Sequence, residues 1–407
     1  MKCRHCNTDL SEVFIDMGVH PPSNSFLSPE QLHEPEAKFP LCVYVCSNCF
    51  LVQIDELKKT EDIFDQDYVY FSSFSSSWLD HARLYTEMAI DRFNLDSDSI
   101  VVEVASNDGY LLQYMKENNI PCYGIEPSLA TADAAREKGI DSINEFFGVD
   151  LAERIVADRG RVDLLIGNNV LAHVPDINDF IKGIEILVKD DGVATLEFPH
   201  LMRLVDECQF DTIYHEHFSY LSLGTVSRMF ASVGLRVFDV EELSTHGGSL
   251  RVFACHDKCD LATTDAVMEL LAREESKGLK SLEYYASFQE KADLVKEGLL
   301  AFLSEQKENG KRVAAYGAAA KGNTLLNYCD IEEGLIEFCV DASPHKQGLF
   351  MPGTHIPVLA PEALKEKQPD YVLILPWNIK KEIMSQHNYI ESWGGKFVTA
   401  IPFLKIH

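Results

Sequence analysis

Residues 101–112 read VVEVASNDGYLL. Apolar positions flank a carboxylate, Glu103, then give way to the turn formers Asn107, Asp108 and Gly109, then to an apolar pair that opens an amphipathic run. That order is the pattern of a buried parallel strand, a tight turn and a helix start. Asn and Asp favour helix N-caps, and Gly109 permits a close backbone approach. The next apolar run, CYGIEPS, ends in Glu126, where an acid in a doubly wound fold meets a ribose hydroxyl. GxGxxG is absent, so pyrophosphate is not the expected ligand of this turn.

The alternation continues through TADAAREKG, IDSINEFFG, DLAERIVADRG, VDLLIGNNVLAHV, INDFIKGIEILVKD and GVATLEFP. Alternating helices and strands predict a parallel sheet with right-handed crossovers and ligands at the C-terminal strand ends. Those ends carry Glu103, Ala105, Asn107, Gly109 and Tyr110, then Glu126 and Pro127, then Asn144 and Phe146, then Asn168, Asn169 and His173. A second alternation begins with RVAAYGAAAKGNTLLNY and runs through IEFCVDAS, DYVLILPW and GKFVTAIP, after a charged helical stretch that breaks near Gly278. The expected fold class is α/β. A Rossmann-like central domain spans 66–255, a small N-terminal domain 1–65, and a second Rossmann-like domain 256–407.

A length of 407 residues accommodates two or three such domains. The formal charge of −28 argues against a nucleic-acid partner, because phosphate backbones require a basic face. No apolar run reaches membrane-spanning length and the start, MKCRHC, lacks an apolar signal core, so no membrane partner and a cytoplasmic address are expected. The 11 cysteines are an odd number, and in a reducing compartment metal binding or burial is the better account of them. Cys3 and Cys6 form CRHC, and Cys46 and Cys49 form CSNC. Two CxxC turns, each aiming both sulfurs at one point, are the signature of a four-thiolate structural zinc site. A redox pair is the alternative; catalytic zinc is not, because four thiolates leave no open position. His5 and Cys42 are read as bystanders.

Three further stretches are candidate chemistry. DYVYFSSF offers the phenols of Tyr68 and Tyr70, as an active-site wall or as a surface aromatic cluster before a helix that starts near Ser75. In YHEHFSY, Tyr214, His215, Glu216, His217 and Tyr220 crowd together just beyond a strand end. The histidine spacing of i and i+2 excludes a HExxH zinc helix and suits a strand or loop. A carboxylate beside an imidazole can orient it as a general base, and the alternative is a polar structural turn. STHGGSLRVF puts His246, Gly247 and Gly248 ahead of a strand carrying Arg251, as a substrate loop or a plain turn. AYGAAAKGN repeats the strand–turn–helix logic with Lys321 and Asn323, able to hold phosphate or merely to pack closely.

The strand–turn–helix–strand–acid order without a phosphate loop resembles motif I of the class I S-adenosylmethionine methyltransferases. The four strand ends would then meet the amino acid, ribose, adenine and sulfonium of that cofactor. The CxxC pairs, YVYFSS, EVASNDGYLLQ, NNVLAHV, YHEHFSY, THGGSLRV and AYGAAAKGN occur in one order over essentially the whole chain. The series resembles the nucleotide-sugar C-methyltransferases of deoxysugar pathways, which methylate C3 of a nucleotide-linked 4-keto sugar. The resemblance implies Tyr70, His173, Tyr214, Glu216 and His217 as active-site residues, with His217 the base and Glu216 holding it. Tyr68, His246, Gly247, Arg251, Lys321 and Asn323 are the candidate substrate contacts, Lys321 and Arg251 for the diphosphate. A monomer or small homo-oligomer is expected. A non-enzymatic zinc and nucleotide-sugar binder, or an O- or N-methyltransferase, are the rival readings.

Overall fold

The computed structural model describes residues 1–55 and 71–407; Tyr68 and Tyr70 lie outside the described residues. The N-terminal part is an antiparallel meander of β1 (Glu12–His20), β2 (Phe39–Val45) and β3 (Val52–Ile54). β2 buries Leu41, Val43 and Val45 and turns the residues between them outward, the period of two that one covered face requires.

The central sheet contains β4 (Val101–Val104), β5 (Cys122–Ile125), β6 (Asp141–Ile143), β7 (Val162–Asn168) and β8 (Val188–Pro199). These five are parallel, in the order β6-β5-β4-β7-β8. Every residue of VVEV in β4 is buried, as a strand covered by helices on both faces must be. The chain reverses direction across the sheet between β4 and β7, which places the ligand crevice at their C-terminal ends.

The chain then leaves this sheet. β9 (Ser219–Tyr220) pairs with β3, Val52 opposite Tyr220 and Gln53 opposite Ser219, and becomes the fourth strand of the N-terminal sheet. The YHEHFSY segment is therefore an edge of the N-terminal domain as much as a loop of the central one. β10 (Leu235–Leu243) and β11 (Ser249–His256) return to complete the seven-stranded sheet, β11 antiparallel beside β8 and β10 antiparallel beside β11.

A helix at Asp265–Lys277 stops at Gly278, whose φ of 97° is a left-handed cap. The long helix Phe288–Glu308 follows, then a six-stranded sheet of β12 (Val313–Tyr316), β13 (Cys339–Val340), β14 (Val358–Leu359), β15 (Tyr371–Ile374), β16 (Lys396–Thr399) and β17 (Lys405–Ile406). Its order is β14-β13-β12-β15-β16-β17, all parallel except the last pair. One cluster of buried side chains joins Phe14, Ile15 and Val43 of the N-terminal sheet to Ile213, Phe218, Phe288 and the C-terminal sheet. The rings of Phe14 and Phe288 stack at 4.3 Å. Full burial of each such side chain contributes about 1.5–3 kcal/mol, so the N-terminal and C-terminal sheets are bound to one another through apolar area.

Candidate active site at the junction of three sheets

The two CxxC turns are built alike. The Cys3 and Cys46 carbonyls accept from the N–H groups of Asn7 and Phe50, and their N–H groups donate to Thr8 and Leu51. Asn7 (φ 61°) and Phe50 (φ 59°) both take the left-handed conformation that closes the turn. The four sulfurs lie within 4.8 Å of one another, with Cys3–Cys49 and Cys6–Cys46 at 3.5 Å. Ligands about 2.3 Å from a tetrahedral zinc need a spacing of this size. Gln53 Nε2 donates to Cys3 Sγ at 3.2 Å, the neighbouring hydrogen bond a thiolate ligand takes. Gln53 is also on β3, whose next partner is β9, so the metal cage and the YHEHFSY segment share a strand. His5 faces away, to Asn178.

At the central sheet's edge the expected cofactor residues converge. Ala105 (φ 57°), Asn107 (φ 49°) and Gly109 (φ 75°) wind the turn after β4 through left-handed conformations. A Cβ on Gly109 would meet Ile140 Cδ1 at 2.5 Å, so only glycine lets the turn pack there. Asn107 and Asp108 do not cap the following helix, contrary to expectation. Asn107 Oδ1 accepts from the Ser72 N–H and Asp108 pairs with Lys138 at 3.0 Å. Glu126 accepts from the backbone N–H groups of Asn107 and Ser128 at 2.9 Å, and Asn144 donates to the carbonyls of Glu126 and Pro127. Phe146 stands exposed beside them.

Buried polar atoms of Glu103, Ser106, Asp108, Ser128, Asn168 and Asn169 have no hydrogen-bond partner among the described residues. Unsatisfied groups of this kind are rare in a finished interior, and their grouping along one sheet edge fits a polar ligand there. Burial raises the Glu103 carboxyl well above the ordinary range. Trp78 closes this edge. Its ring stacks on Tyr110 at 5.9 Å and His81 at 4.9 Å and meets His246 edge-on at 5.3 Å. Ser75 caps its helix, Ser76–Phe93.

His217 lies where the three sheets meet. Its Nδ1 is 2.8 Å from the Thr212 carbonyl and its Nε2 is 2.8 Å from the Tyr214 hydroxyl. A carbonyl only accepts, so Nδ1 carries the proton and Nε2 presents its lone pair. Burial, then the neighbouring His173 and the charges of His246 and Lys321, hold the imidazole well below its ordinary pKa. The His173 ring packs edge-on at 4.6 Å, and burial depresses it to about 4. The orienting group is not the expected Glu216. That carboxylate accepts from Asn24 Nδ2 at 2.8 and 3.0 Å, and the Thr212 carbonyl holds His217 instead. Glu216 thus pins the N-terminal loop to the turn that carries His217.

The candidate substrate residues divide. His246, left-handed at φ 53°, brings Nε2 to 3.1 Å from Asn169 Nδ2 and joins the site. Gly247 abuts Trp377, where a Cβ would lie 2.5 Å from the indole. Lys321 reaches the same place, donating to Asn378 at 2.9 Å. Two expectations fail. Arg251 is buried against Glu197 and Glu241, each at 3.0 Å, so its charge is spent within the sheet rather than kept for a diphosphate. Asn323 is fully buried and donates to the Ser23 carbonyl at 2.6 Å, tying down the N-terminal loop. Glu197 takes His81, Arg251 and Thr245 together. Burial raises its pKa, but those hydrogen bonds and charges outweigh it and hold the carboxylate below the ordinary range. An open cleft of about 500 Å³ lined by Asp16, Lys38, Asp293 and Asp330 lies past the C-terminal end of helix Ala320–Tyr328, away from this chemistry.

Trp78, Glu197, Asp211, Thr212 and Trp377 carry the site without having been expected in it. Only Glu197 had a local signal, as the acid near the end of the run GVATLEFP. The others act through tertiary contacts.

The chain matches three family models: a zinc binding domain at residues 3–64, a methyltransferase domain at 79–240 and a C-methyltransferase C-terminal domain at 244–402. Among solved structures it is similar to the 1,6-didemethyltoxoflavin-N1-methyltransferase of Burkholderia thailandensis, at 12% identity, covering 51% of this chain and 94% of that one, TM-score 0.38. It is also similar to the magnesium protoporphyrin IX methyltransferase of Synechocystis, at 16% identity, covering 48% and 91%, TM-score 0.36. Over 401 residues, 98% of its length and 95% of the relative's, it is 34% identical to the C-methyltransferase NovU of Streptomyces niveus. With its Cys₄ zinc domain and its cofactor-shaped sheet edge, the chain belongs to this family of S-adenosylmethionine-dependent C-methyltransferases.

Proposed function

We propose that the protein methylates C3 of a nucleotide-linked 4-keto deoxysugar through an enolate formed by His217. One observation carries this reading. The Thr212 carbonyl fixes the His217 tautomer so that Nε2 faces the site as an acceptor, with a phenol 2.8 Å away. A carbon adjacent to a ketone is acidic enough for a neutral imidazole to deprotonate in an enclosed site, whereas O- or N-methylation needs no carbon base. S-Adenosylmethionine, bound along the strand ends from Glu103 to Asn169, supplies an electrophilic methyl group. His217 Nε2 takes the C3 proton. The Tyr214 hydroxyl, released from Nε2 as the substrate enters, donates to the oxygen that gains charge. His173 packs the imidazole in place, and Tyr70 is a second candidate donor. The Glu216–Asn24 contact closes the N-terminal loop over this turn. We place the protein in the cytoplasm as a monomer or small homo-oligomer, its site shared by the domains 1–65, 66–255 and 256–407.

The test is the exchange of the C3 hydrogen in D2O, run beside methyl transfer. His217→Asn should lower both together by about 10²–10⁴-fold, the usual worth of a general base. Near-normal exchange in that variant would remove His217 as the base. An enzyme that methylates without any exchange by the native protein would be an O- or N-methyltransferase.

A further inference from the structure

The ammonium of Lys321 is the least explained charge near the site. It sits in the first turn of helix Ala320–Tyr328, just past β12, and its Nζ donates to Asn378 Oδ1 at 2.9 Å. It lies 5.1 Å over the Trp377 ring. Among the described residues it makes no ion pair within 4.0 Å, whereas Arg92, Lys138, Arg251 and Lys296 each pair with a carboxylate. Asp211 acts on it electrostatically without forming an ion pair, so an anion arriving beside the ammonium would be stabilised.

Its seat is tied to the catalytic turn. The Trp377 indole N–H donates to Asp211 Oδ2 at 2.7 Å, and Asp211 is fully buried. The next residue, Thr212, is the one whose carbonyl orients His217. On the other side the Trp377 ring presses against Gly247, next to His246. The ammonium therefore belongs to the same cluster as both imidazoles, and its field reaches them: after burial and His173, Lys321 is among the causes that hold His217 down, and after burial it is the largest for His246. Burial lowers the Lys321 pKa and the Asp211 carboxylate opposes that shift.

We propose that Lys321 is a catalytic residue contributed by the C-terminal domain, its ammonium stabilising the oxyanion that forms on the substrate ketone as His217 removes the adjacent proton. Asn378, Trp377 and Asp211 are positioning residues for it. The step balances within the site. The C–H bond breaks, its proton goes to His217 Nε2, and its electron pair forms the carbon–carbon double bond while the carbonyl π pair moves onto oxygen beside the ammonium. The role rests on the enolate reading above. It displaces the earlier assignment of Lys321 to a diphosphate, because the residue is grouped with the proton-transfer imidazoles.

The experiment uses the full-length zinc-loaded protein and a nucleotide-linked 4-keto deoxysugar. It measures C3 hydrogen exchange in D2O with S-adenosylhomocysteine bound, and steady-state kcat and KM for methyl transfer. Lys321→Gln should lower exchange and kcat together, on the order of 10²–10³-fold as for loss of one oxyanion donor, with KM little changed. Lys321→Arg should recover part of both, since charge rather than shape is required. Trp377→Phe, which keeps the ring and removes the N–H, should lower kcat less than Lys321→Gln and leave KM alone. A raised KM with normal exchange at saturating substrate would overturn the proposal in favour of a diphosphate contact. Equal loss in Lys321→Gln and Lys321→Arg, with loss of S-adenosylhomocysteine binding, would overturn it in favour of a structural role. Absence of exchange in the native protein would refute the enolate reading itself, and with it this one.

Discussion

A base is defined by its tautomer, and at His217, the proposed base, the tautomer is set by a backbone carbonyl rather than by a carboxylate. The consequence is a pH prediction. A histidine held well below its ordinary pKa stays neutral throughout the range in which a surface histidine would protonate. The acid limb of the kcat profile should therefore lie well below pH 6.5, with no loss between pH 8 and 6.5; a limb centred near 6.5 would contradict the burial of Nε2. Stability carries the same sign. His173 and His246 are each depressed to about 4 by burial, so the unfolded chain gains protons there that the folded chain refuses. Stability is complete above pH 6.5 and falls as pH drops toward 4, by about 1.4 kcal/mol for each unit of depression. Asp211, raised to about 6 by burial, acts oppositely: its contribution is present below the ordinary carboxylate range and lost as pH rises through 6. Glu103, raised by burial, acts with Asp211, but His173, His217 and His246 outnumber the two carboxyls, so thermal midpoints should decrease from pH 7 to pH 5.

Asn24 tests a contact that no local pattern announces. Asn24→Ala leaves Glu216, a buried carboxylate, without its two bonds from the N-terminal loop. Loss of a hydrogen bond to a charged group costs about 1.5–3 kcal/mol. Part of that should appear as a lower kcat with unchanged cofactor affinity, measured by calorimetric titration of S-adenosylmethionine.

The decisive element is β3, three residues long. One edge of it receives β2, the other receives β9, and Gln53 within it donates to the metal-ligand sulfur of Cys3. The zinc cage and the turn that carries His217 are thus one hydrogen-bonded unit. Cys46→Ser should cost metal and activity together even though no ligand sulfur belongs to the His217 cluster. Chelation should lower kcat in step with zinc content, read by atomic absorption against methyl transfer. Full activity in metal-free protein would separate the two functions.

At the scale of the molecule, the sheets share cores instead of abutting. Phe14 and Phe288 stack across the N-terminal and C-terminal parts. Phe288→Ala should cost about 3–5 kcal/mol, the range for a large aromatic removed from a core. Unfolding monitored by denaturant should remain a single transition, because the same cluster serves both parts. Two separated transitions would show that the parts fold independently.

What was legible in the chain itself is what local physics decides. VVEV followed by NDG and a helix can form little except a buried parallel strand and a tight turn, and the repeat of that alternation sets a doubly wound sheet. The two CxxC turns specify a thiolate site because each closes within a few residues. The crowding of Tyr214, Glu216 and His217 was legible, but its internal wiring was not: the Thr212 carbonyl, not the adjacent Glu216, meets the His217 ring. Which groups meet across Asn24 and Glu216, Asp211 and Trp377, or Arg251 and Glu197 depends on contacts between residues far apart in the chain. Hydrophobic periodicity carries no information about those pairs. Only packing of the three sheets brings them together, and that packing decides which charges, like Arg251, are spent on ion pairs inside the protein and which, like Lys321, form none among the described residues.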